Sequence, residues 1–459
     1  IFQRNKEMNK KSRTILFTTL FIIFLMISPI IILYSQGYRF DFQKWQLLKT
    51  GGVYIKTSLP AADIYIDNKY KNKTGQLLSY DFLAQNLLPQ THTVRVEKSG
   101  YLPWEKDLLV KEKIVTQAYV VLFPENINFT KLEEDIKKIY SFDDPKKIIL
   151  QDNKNQLFFY DLGQKNLILG TGNKTLDKIL DITMSKDASR IILKASEKLT
   201  GKIKFYLLPT DKETLTLVSL KNLDKTTSQI SFYSNNIIFF TSNGKLYKEA
   251  LDTQKQTLMN INPVTAFYLQ GDNLFYLQNE SLFRQNLITN NTESLLKEPF
   301  EMNSEISYDI FTYWNKIFII ENKKTIYVLN EKQALEKILT SDEETKFTGF
   351  SDKLMFYNNS TLWLYLLRDY ESPFFAKAGS IIKISDYPKI NHFEWINGEY
   401  FVMLDQNNKA RISEIDNRDK LNSFEVNKEE VSQVWFDLVE KKLYFLLGNN
   451  LMVSDKLIP

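Results

Sequence analysis

Most of the chain is built from one pattern that recurs about every 42 residues. Apolar runs such as IILQ at 148–151, IIFFT at 237–241 and LYFLL at 443–447 mark the centres of successive units. Each run is preceded by one strand-like segment and followed by another about 8–12 residues later. A repeat of 40–50 residues with several short strands is typical of a propeller blade, which buries its apolar residues against its neighbours. Because the runs are continuous rather than alternating, we expect sheets that are covered on both faces.

The number of units predicts the architecture of this region. The central runs begin near Ile148, Ile191, Ile237, Leu274, Ile317, Leu354, Tyr400 and Leu443. The eighth unit lacks a fourth strand, and an unassigned strand-like segment, Ile127–Leu132, precedes the first unit. A strand from the N-terminal side that completes the last blade would leave no open sheet edge. We therefore expect a β-propeller over residues 125–459 with eight blades, closed in this way; seven blades are the alternative if one weak unit has been divided wrongly.

The N-terminal end of the chain has the composition of a membrane anchor. Residues 14–34 carry no charge, and about 20 apolar residues in a helix span the hydrocarbon core of a bilayer. Residues 1–13 carry a net charge of +4, which predicts a cytoplasmic tail and places the rest of the chain on the other side of the cell membrane. A signal peptide would have a shorter apolar region that ends in small residues, so we expect an uncleaved single-pass helix.

Residues 35–51 form a juxtamembrane segment that is rich in aromatic residues. Such residues concentrate where the hydrocarbon core meets water, and basic residues flank the cytoplasmic end of a span. We therefore assign four residues to the membrane interface: Arg13, Tyr34, Tyr38 and Trp45. The lipid bilayer is the partner that this segment implies.

Between residues 52 and 124 the apolar residues alternate with polar ones, as in short antiparallel strands. Three pieces stand out: TSLPAADIYID at 57–67, LPQTHTVRV at 88–96 and GYLPW at 100–104. These pieces resemble, in the same order, the motifs of the PEGA domain of bacterial envelope proteins. Ala61, Asn68 and Gln90 stand where that pattern has Gly. The resemblance implies a small extracytoplasmic domain like a β-sandwich, without catalytic residues.

Two turns in the repeat region resemble those of TolB-type propellers, whose pattern is S-P-D-G-[KR]-[KR]-I. They are SFDDPKKI at 141–148 and SKDASRI at 185–191, which keep the Ser, the Asp and the basic residue before Ile. The later units lack the pattern. The resemblance to TolB-like and WD-type repeats therefore concerns propeller architecture and implies no specific activity.

The composition excludes several kinds of chemistry. The chain has no Cys and two His, which excludes thiol catalysis, Cys-ligated zinc and iron–sulfur clusters. Outside the tail, 54 basic residues balance 54 acidic ones, unlike the basic surplus of a nucleic-acid-binding domain. His92 and His392 lie in strand-like runs without a second ligand nearby, and we interpret both as structural. We assign no catalytic, cofactor-binding or metal-binding residue and expect neither a cofactor nor nucleic acid as a partner.

The layout favours a binding or scaffold protein of the cell envelope rather than an enzyme. The propeller would present one face to a protein, a peptide or a cell-wall polymer. Three tryptophans at inner strands are the candidates for a binding rim: Trp314, Trp395 and Trp435. The alternative is an envelope enzyme, a glycan or peptide hydrolase or lyase, with its site at the propeller channel.

Overall fold

The computed structural model describes residues 9–42, 45–75, 79–140, 147–161, 166–170, 176–197, 200–210, 216–303, 305–371, 373, 375–387 and 389–459. Within these residues one helix is followed by strands that form small antiparallel or mixed sheets. This arrangement confirms the predicted mainly β fold class with a single N-terminal helix.

The helix α1 spans Lys10–Ser35, so it begins four residues before the predicted apolar segment. None of its side chains is buried against the rest of the chain. Its length and composition suffice to cross a membrane, and they are also those of a signal sequence. A short hairpin follows, made of β1 (Tyr38–Asp41) and β2 (Gln46–Lys49). The backbone N–H and the hydroxyl of Thr50 both donate to the carbonyl of Gly37, which closes the hairpin at its base.

A small domain of two sheets follows the hairpin. Its strands are β3 (Gly51–Thr57), β4 (Asp63–Ile66), β5 (Lys69–Lys73), β6 (Asp81–Leu87), β7 (Thr91–Glu97), β8 (Trp104–Leu109) and β9 (Val115–Val120). One sheet has the order β6-β3-β9, with β3 and β9 parallel, and the other has the order β5-β4-β7-β8. Val53 and Ile55 of the first sheet and Ile64 and Val94 of the second share one apolar core. Alternate side chains of each strand therefore point inward, as the period of two predicts.

The remaining strands form eight four-stranded sheets within the described residues. The first strand of this region is β10 (Phe129–Glu133). Blades 1 to 4 are, in order, β11 (Ile136–Tyr140), β12 (Lys147–Asp152), β13 (Leu157–Asp161) and β14 (Asn166–Gly170); β15 (Leu176–Met184), β16 (Arg190–Glu197), β17 (Ile203–Pro209) and β18 (Val218–Leu220); β19 (Thr227–Ser234), β20 (Ile237–Ser242), β21 (Lys245–Ala250) and β22 (Lys255–Leu258); β23 (Ala266–Gln270), β24 (Asn273–Gln278), β25 (Ser281–Asn286) and β26 (Thr292–Ser294).

Blades 5 to 7 follow the same order, and blade 8 has three strands of its own. These strands are β27 (Tyr308–Tyr313), β28 (Lys316–Glu321), β29 (Thr325–Leu329) and β30 (Leu335–Thr340); β31 (Lys346–Phe350), β32 (Lys353–Tyr357), β33 (Thr361–Leu366) and β34 (Ile381–Asp386); β35 (His392–Trp395), β36 (Tyr400–Leu404), β37 (Ala410–Glu414) and β38 (Ser423–Glu425); and β39 (Val431–Asp437), β40 (Lys442–Leu447) and β41 (Asn450–Ser454). The predicted central runs correspond to the second strand of each blade.

Apolar clusters fill all eight seams between neighbouring blades. In β20, Phe239 packs toward blade 4 while Phe240 packs toward blade 2, so both faces of this strand are buried. The other blades repeat this arrangement, which explains why their second strands are continuous apolar runs. The last cluster joins Tyr444 and Leu446 of blade 8 to Ile139 and Leu150 of blade 1. The blades therefore form a closed ring.

The strand that completes the ring comes from the N-terminal side, as predicted. β10 pairs with β41 in antiparallel register, and the sheet order is β10-β41-β40-β39. At the same seam the side chain of Gln433 bridges to the neighbouring blade. Its amide accepts from the backbone N–H of Ile139 at 2.8 Å and donates to the carbonyl of Ile139 at 2.5 Å. Gln229 makes the same pair of bonds to the backbone of Phe267 between blades 3 and 4.

The second TolB-like turn has a structural role in its blade, whereas residues 141–146 of the first turn lie outside the described residues. The carboxylate of Asp187 accepts from the Ser185 hydroxyl at 2.9 Å and from the Ser189 N–H at 3.0 Å. Asn235 of the next blade donates to its other oxygen at 2.8 Å. Burial alone would raise the pKa of Asp187, but these hydrogen bonds hold that pKa well below its usual range. The turn therefore fixes a hairpin and a contact between blades.

Replacing Gln433 with Ala should weaken the seam that closes the ring. The change leaves the N–H and carbonyl of Ile139 without their partner, and the expected loss of unfolding free energy is about 1–3 kcal/mol. Ser432→Ala changes an exposed residue of the same strand and should alter stability by less than about 0.5 kcal/mol. Urea unfolding of both variants measures the difference. Equal midpoints would show that Gln433 does not hold the seam.

Candidate functional site

Both histidines have oxygen partners that hold their rings. The His92 ring is buried in the small domain, with Nδ1 2.7 Å from the Asp67 carboxylate and Nε2 2.9 Å from the Leu88 carbonyl. Nε2 of His392, on the first strand of blade 7, lies 3.2 Å from the Glu394 carboxylate. Among the residues that the structure describes, no group of three or more His, Asp or Glu has the geometry to hold a metal ion.

The three tryptophans predicted to form a rim differ in their surroundings. Trp314 is 51% exposed in the turn between β27 and β28. Trp395 is only 4% exposed and packs against Phe393 and Phe350 in the seam between blades 6 and 7. Trp435 is half-buried and packs on Tyr444 between blades 8 and 1. Trp395 thus belongs to the core of a seam, whereas a binding rim that includes Trp314 and Trp435 stays a prediction.

Three of the four residues assigned to the membrane interface, Tyr34, Tyr38 and Trp45, lie at or just beyond the C-terminal end of α1. The guanidinium of Arg39 lies 3.4 Å above the Tyr34 ring and donates to the carbonyls of Tyr34 and Tyr38. Trp45 is 78% exposed at the hairpin tip, with its ring edge-on to Phe40. Arg13 lies at the opposite end of the helix, in its first turn. The structure thus places a basic group at the first turn of the apolar helix α1 and aromatic groups with Arg39 at its other end.

The most strongly built polar cluster joins the small domain to blade 7. Lys106 of β8 is fully buried, and its ammonium lies 2.6 Å from Glu414, which is also buried. The same ammonium donates to the backbone carbonyl of Asp416 and lies 3.8 Å from its carboxylate. A charge taken out of water needs close, well-directed partners, and these three residues supply them to one another. We refer to this group as the junction cluster.

Neighbouring groups satisfy the remaining atoms of the junction cluster. Trp104, in the core of the small domain, donates its indole N–H to Glu414 at 3.0 Å, and Asn422 donates to the other oxygen of Glu414 at 2.8 Å. Burial acts to raise the pKa of Asp416, but paired hydrogen bonds from Arg418 hold that pKa below its usual value. Arg418 also donates to the carbonyl of Gln117 in β9 at 2.8 Å.

Aromatic packing continues the junction toward the ring core. Phe123, which follows the small domain, is buried edge-on to Tyr400 and close to Phe424, both in blade 7. The Val121 N–H approaches the Tyr400 hydroxyl at 3.4 Å. The small domain and the ring therefore meet through a polar centre with an apolar flank.

Sequence reasoning missed the junction cluster. Trp104 and Glu414 lie 310 positions apart, and no local pattern links them. One signal was present: β8 alternates buried and accessible positions, and Lys106 occupies a buried one between Trp104 and Leu108. A lysine on the inward side of a strand requires a buried acidic partner, although the strand alone does not reveal which one.

The small domain occupies one particular face of the ring. Because neighbouring strands are antiparallel, the turns between the first and second strands and those between the third and fourth strands lie at the same end of a blade. Residues 415–422 and Glu399, which adjoin the junction, belong to these turns of blade 7. We call this end of the ring the junction face. Trp314 lies in such a turn of blade 5 and is therefore also on the junction face.

One buried carboxylate in the ring has a perturbed pKa. Glu249 of β21 is fully buried, and neither of its oxygens has a well-aligned hydrogen-bond partner among the described residues. Burial raises its pKa, and the nearby Asn222 amide opposes the shift in part. Perturbed acids mark active sites when a second reacting group is at hand. No such group is hydrogen-bonded to Glu249 in the described part of the chain, so we interpret it as a core residue.

Comparisons with known proteins show similarity only at the level of backbone architecture. No protein-family profile and no curated protein matches the chain. The C-terminal WD40 domain of Sif2 covers 72% of this chain and 98% of that domain with 8% identity and a TM-score of 0.49. The computationally designed Ika8 protein covers 70% of this chain and 96% of its own at 11% identity and a TM-score of 0.46. BamB from Moraxella catarrhalis covers 72% and 98% at 11% identity and a TM-score of 0.44.

Replacing Lys106 with Met should separate the small domain from the ring. The change leaves Glu414 buried without its ion-pair partner, and the expected cost is about 3–5 kcal/mol. Lys420→Met is the matched control: its ammonium lies 3.6 Å from Glu105 but is mostly exposed, so the cost should be about 0–1 kcal/mol. Denaturant unfolding measures the loss of unfolding free energy. Limited proteolysis between residues 121 and 128 shows whether the small domain has separated from the ring. If both variants resist protease like the parent chain, the junction cluster does not join the domains.

Replacing Glu249 with Gln should change how stability depends on pH. Because the folded-state pKa is raised above 4.5, the native state holds its proton while the unfolded state releases it. The parent chain should therefore lose stability as pH rises from about 4.5. The Gln variant should lack this loss and exceed the parent in stability at pH 8, whereas exposed Glu301→Gln should follow the parent curve. Parallel curves for Glu249→Gln and the parent would contradict this assignment.

Proposed function

We propose that the chain is a membrane-anchored, extracytoplasmic binding or scaffold protein of the bacterial cell envelope rather than an enzyme. In this proposal α1 anchors the chain in the lipid bilayer, and the ring binds an envelope protein, a peptide or a cell-wall polymer. The observation that carries the proposal is the junction cluster. It joins the small domain to blade 7 through buried charges. A rigid connection between the two domains suits a protein that holds a binding face at a constant distance from a membrane.

The exposure of α1 supports the anchor. Its 26 residues would extend about 39 Å at 1.5 Å per residue, more than the hydrocarbon core of roughly 30 Å. Large side chains such as Phe17, Phe24 and Ile30 are exposed around the helix. An apolar helix with no protein partner needs another apolar surrounding, and the bilayer core provides one.

The charges and aromatic residues at the ends of α1 support its orientation. The basic residues of the tail lie before the helix or in its first turn, and the positive-inside rule favours a cytoplasmic location for this end. At the other end the Arg39 guanidinium lies over the Tyr34 ring, and the hairpin exposes Phe42 and Trp45. Groups of this kind prefer the boundary between hydrocarbon and headgroups.

The turns of the small domain support its assignment as a PEGA domain. Ala61 and Asn68, which replace Gly of the family motif, have φ values of +53° and +60°. Left-handed backbone of this kind is where Gly is favoured, so the family pattern and the backbone geometry agree at both positions. Gln90, the third departure, has no such conformation.

Topology reporters test the anchor and its orientation. A periplasmic-type phosphatase fused after Pro459 should be active, and the chain should remain in the membrane fraction after a high-salt wash. Replacing Lys10, Lys11 and Arg13 with Glu should reduce this activity, because the charge bias that orients the helix is lost.

The control places the same three charge reversals at Lys69, Lys71 and Lys73, which lie on the exposed strand β5. These changes should leave the reporter activity as it is in the parent chain. Activity of a cytoplasmic reporter at the same fusion point, or release of the chain by salt alone, would overturn the proposed location.

A further inference from the structure

A groove of about 550 Å³ opens on the junction face above the seam between blades 5 and 6. Its walls come from the start of β28, from β29 and the turn after it, from β30, and from the segment before β34. The lining residues that matter for its chemistry are Lys316, Asn330, Glu336, Tyr365, Gly379 and Ser380. The groove is open to solvent on the same side of the ring as Trp314.

The floor of the groove contains a polar group that the fold does not use. Tyr365 is 2% exposed, and its ring is packed edge-on against Phe318 in the seam. Its hydroxyl makes no hydrogen bond within the described residues, yet Tyr365 lines the groove. A Cβ on Gly379 would stand 3.8 Å from this hydroxyl, at ordinary van der Waals distance, so the hydroxyl lies directly beside a glycine whose φ is +85°. Burial and the nearby Glu336 raise the pKa of Tyr365, which keeps the hydroxyl neutral and able to donate.

Trp314 stands at a backbone position that is unfavourable for a large side chain. Three consecutive blades join their first two strands by two-residue turns whose first central residue alone has positive φ: Gly271, Trp314 and Ser351. This is the pattern of type II′ turns, which favour Gly at that position. Blade 4 follows the rule and blade 6 has the small residue Ser351, but blade 5 has Trp with φ +51° and a side chain that is about half exposed. Neither burial nor turn geometry accounts for this ring, and strained residues of this kind are concentrated at functional sites.

The charged side chains that line the groove are not engaged in ion pairs within the described chain, and their positive and negative charges are equal in number. Lys316 and Lys332 are matched by Glu331 and Glu336, and none of the four forms an ion pair with another described residue. A site for a polyanion would carry a basic surplus, which this groove lacks. Val328 and Ile338 add apolar surface between the polar groups.

We propose that this groove, together with Trp314, which lies on the same face two residues before the groove residue Lys316, binds a neutral carbohydrate chain. A sugar ring has apolar C–H faces that stack on an aromatic ring and hydroxyls that pair with neutral and charged polar groups at its edges. Trp314 supplies the stacking surface, the Tyr365 hydroxyl supplies a donor at the floor, and Asn330, Glu336 and Ser380 supply partners along the walls. The inference rests on the proposed function, because it names the class of polymer that the ring would bind.

Binding of neutral hexasaccharides to the full chain in detergent tests the inference. Cellohexaose, maltohexaose and chitohexaose are titrated by calorimetry, and at least one should bind. Trp314→Gly should weaken that binding about tenfold or more, because an exposed aromatic anchor is lost, and should raise the thermal midpoint because the turn is relieved. Tyr365→Phe should weaken binding by about threefold to tenfold, the effect of one lost hydrogen bond.

Tyr70→Ala is the control. Tyr70 is also an exposed aromatic residue, but it lies on β5 of the small domain. This variant should bind the hexasaccharide like the parent chain. The inference is overturned if no hexasaccharide binds, if Trp314→Gly binds as tightly as the parent, or if a randomised octapeptide pool binds at Trp314 in place of the sugars. None of these outcomes alters the reporter and fractionation results, so failure here is distinguishable from failure of the proposed location.

Discussion

The architecture depends on the fact that each blade is apolar on both of its faces. A sheet with two apolar faces needs a neighbour on each side, and an open row of such sheets would leave two faces in water. Phe239 and Phe240, adjacent in β20, already point into two different seams. The eighth seam, between Tyr444 and Ile139, covers the faces that would otherwise remain exposed. The pairing of β10 with β41 then closes the ring with a strand that precedes its first blade.

The junction cluster has a different physical character from the seams. The seams are non-directional apolar contacts, whereas Lys106, Glu414 and Asp416 require one particular geometry to offset the desolvation of three charges. Such a cluster contributes orientation more than net stability. It defines which blade the small domain contacts and therefore which face of the ring lies beside it. The groove and Trp314 share that face, so the junction also determines the surroundings of the candidate binding surface.

A residue whose backbone conformation is unfavourable for its side chain is most informative when the residues around it show no such conflict. Trp314 and Trp45 both have left-handed backbone at exposed turns, and both rings lack a core to fill. Trp395 and Trp435, in contrast, occupy ordinary strand positions and pack into seams. Locally unfavourable choices without a packing benefit point to function. This contrast separates the tryptophans better than their position on inner strands, on which the sequence-based prediction of a rim rests.

The sequence by itself determined the repeating strands, the closing strand and the apolar helix, and it favoured eight blades over seven. These features depend on local patterns in the sequence. The printed residues show continuous apolar runs about 42 residues apart and an uncharged segment from Thr14 to Tyr34, and no knowledge of tertiary contacts is needed to find them. Only the tertiary structure decided which inner-strand tryptophans are buried, because that depends on how neighbouring blades meet. It also decided the partner of Lys106 and the groove floor at Tyr365. Those features join residues from distant parts of the chain, or from two blades, and their energies arise from packing and desolvation that no single segment encodes.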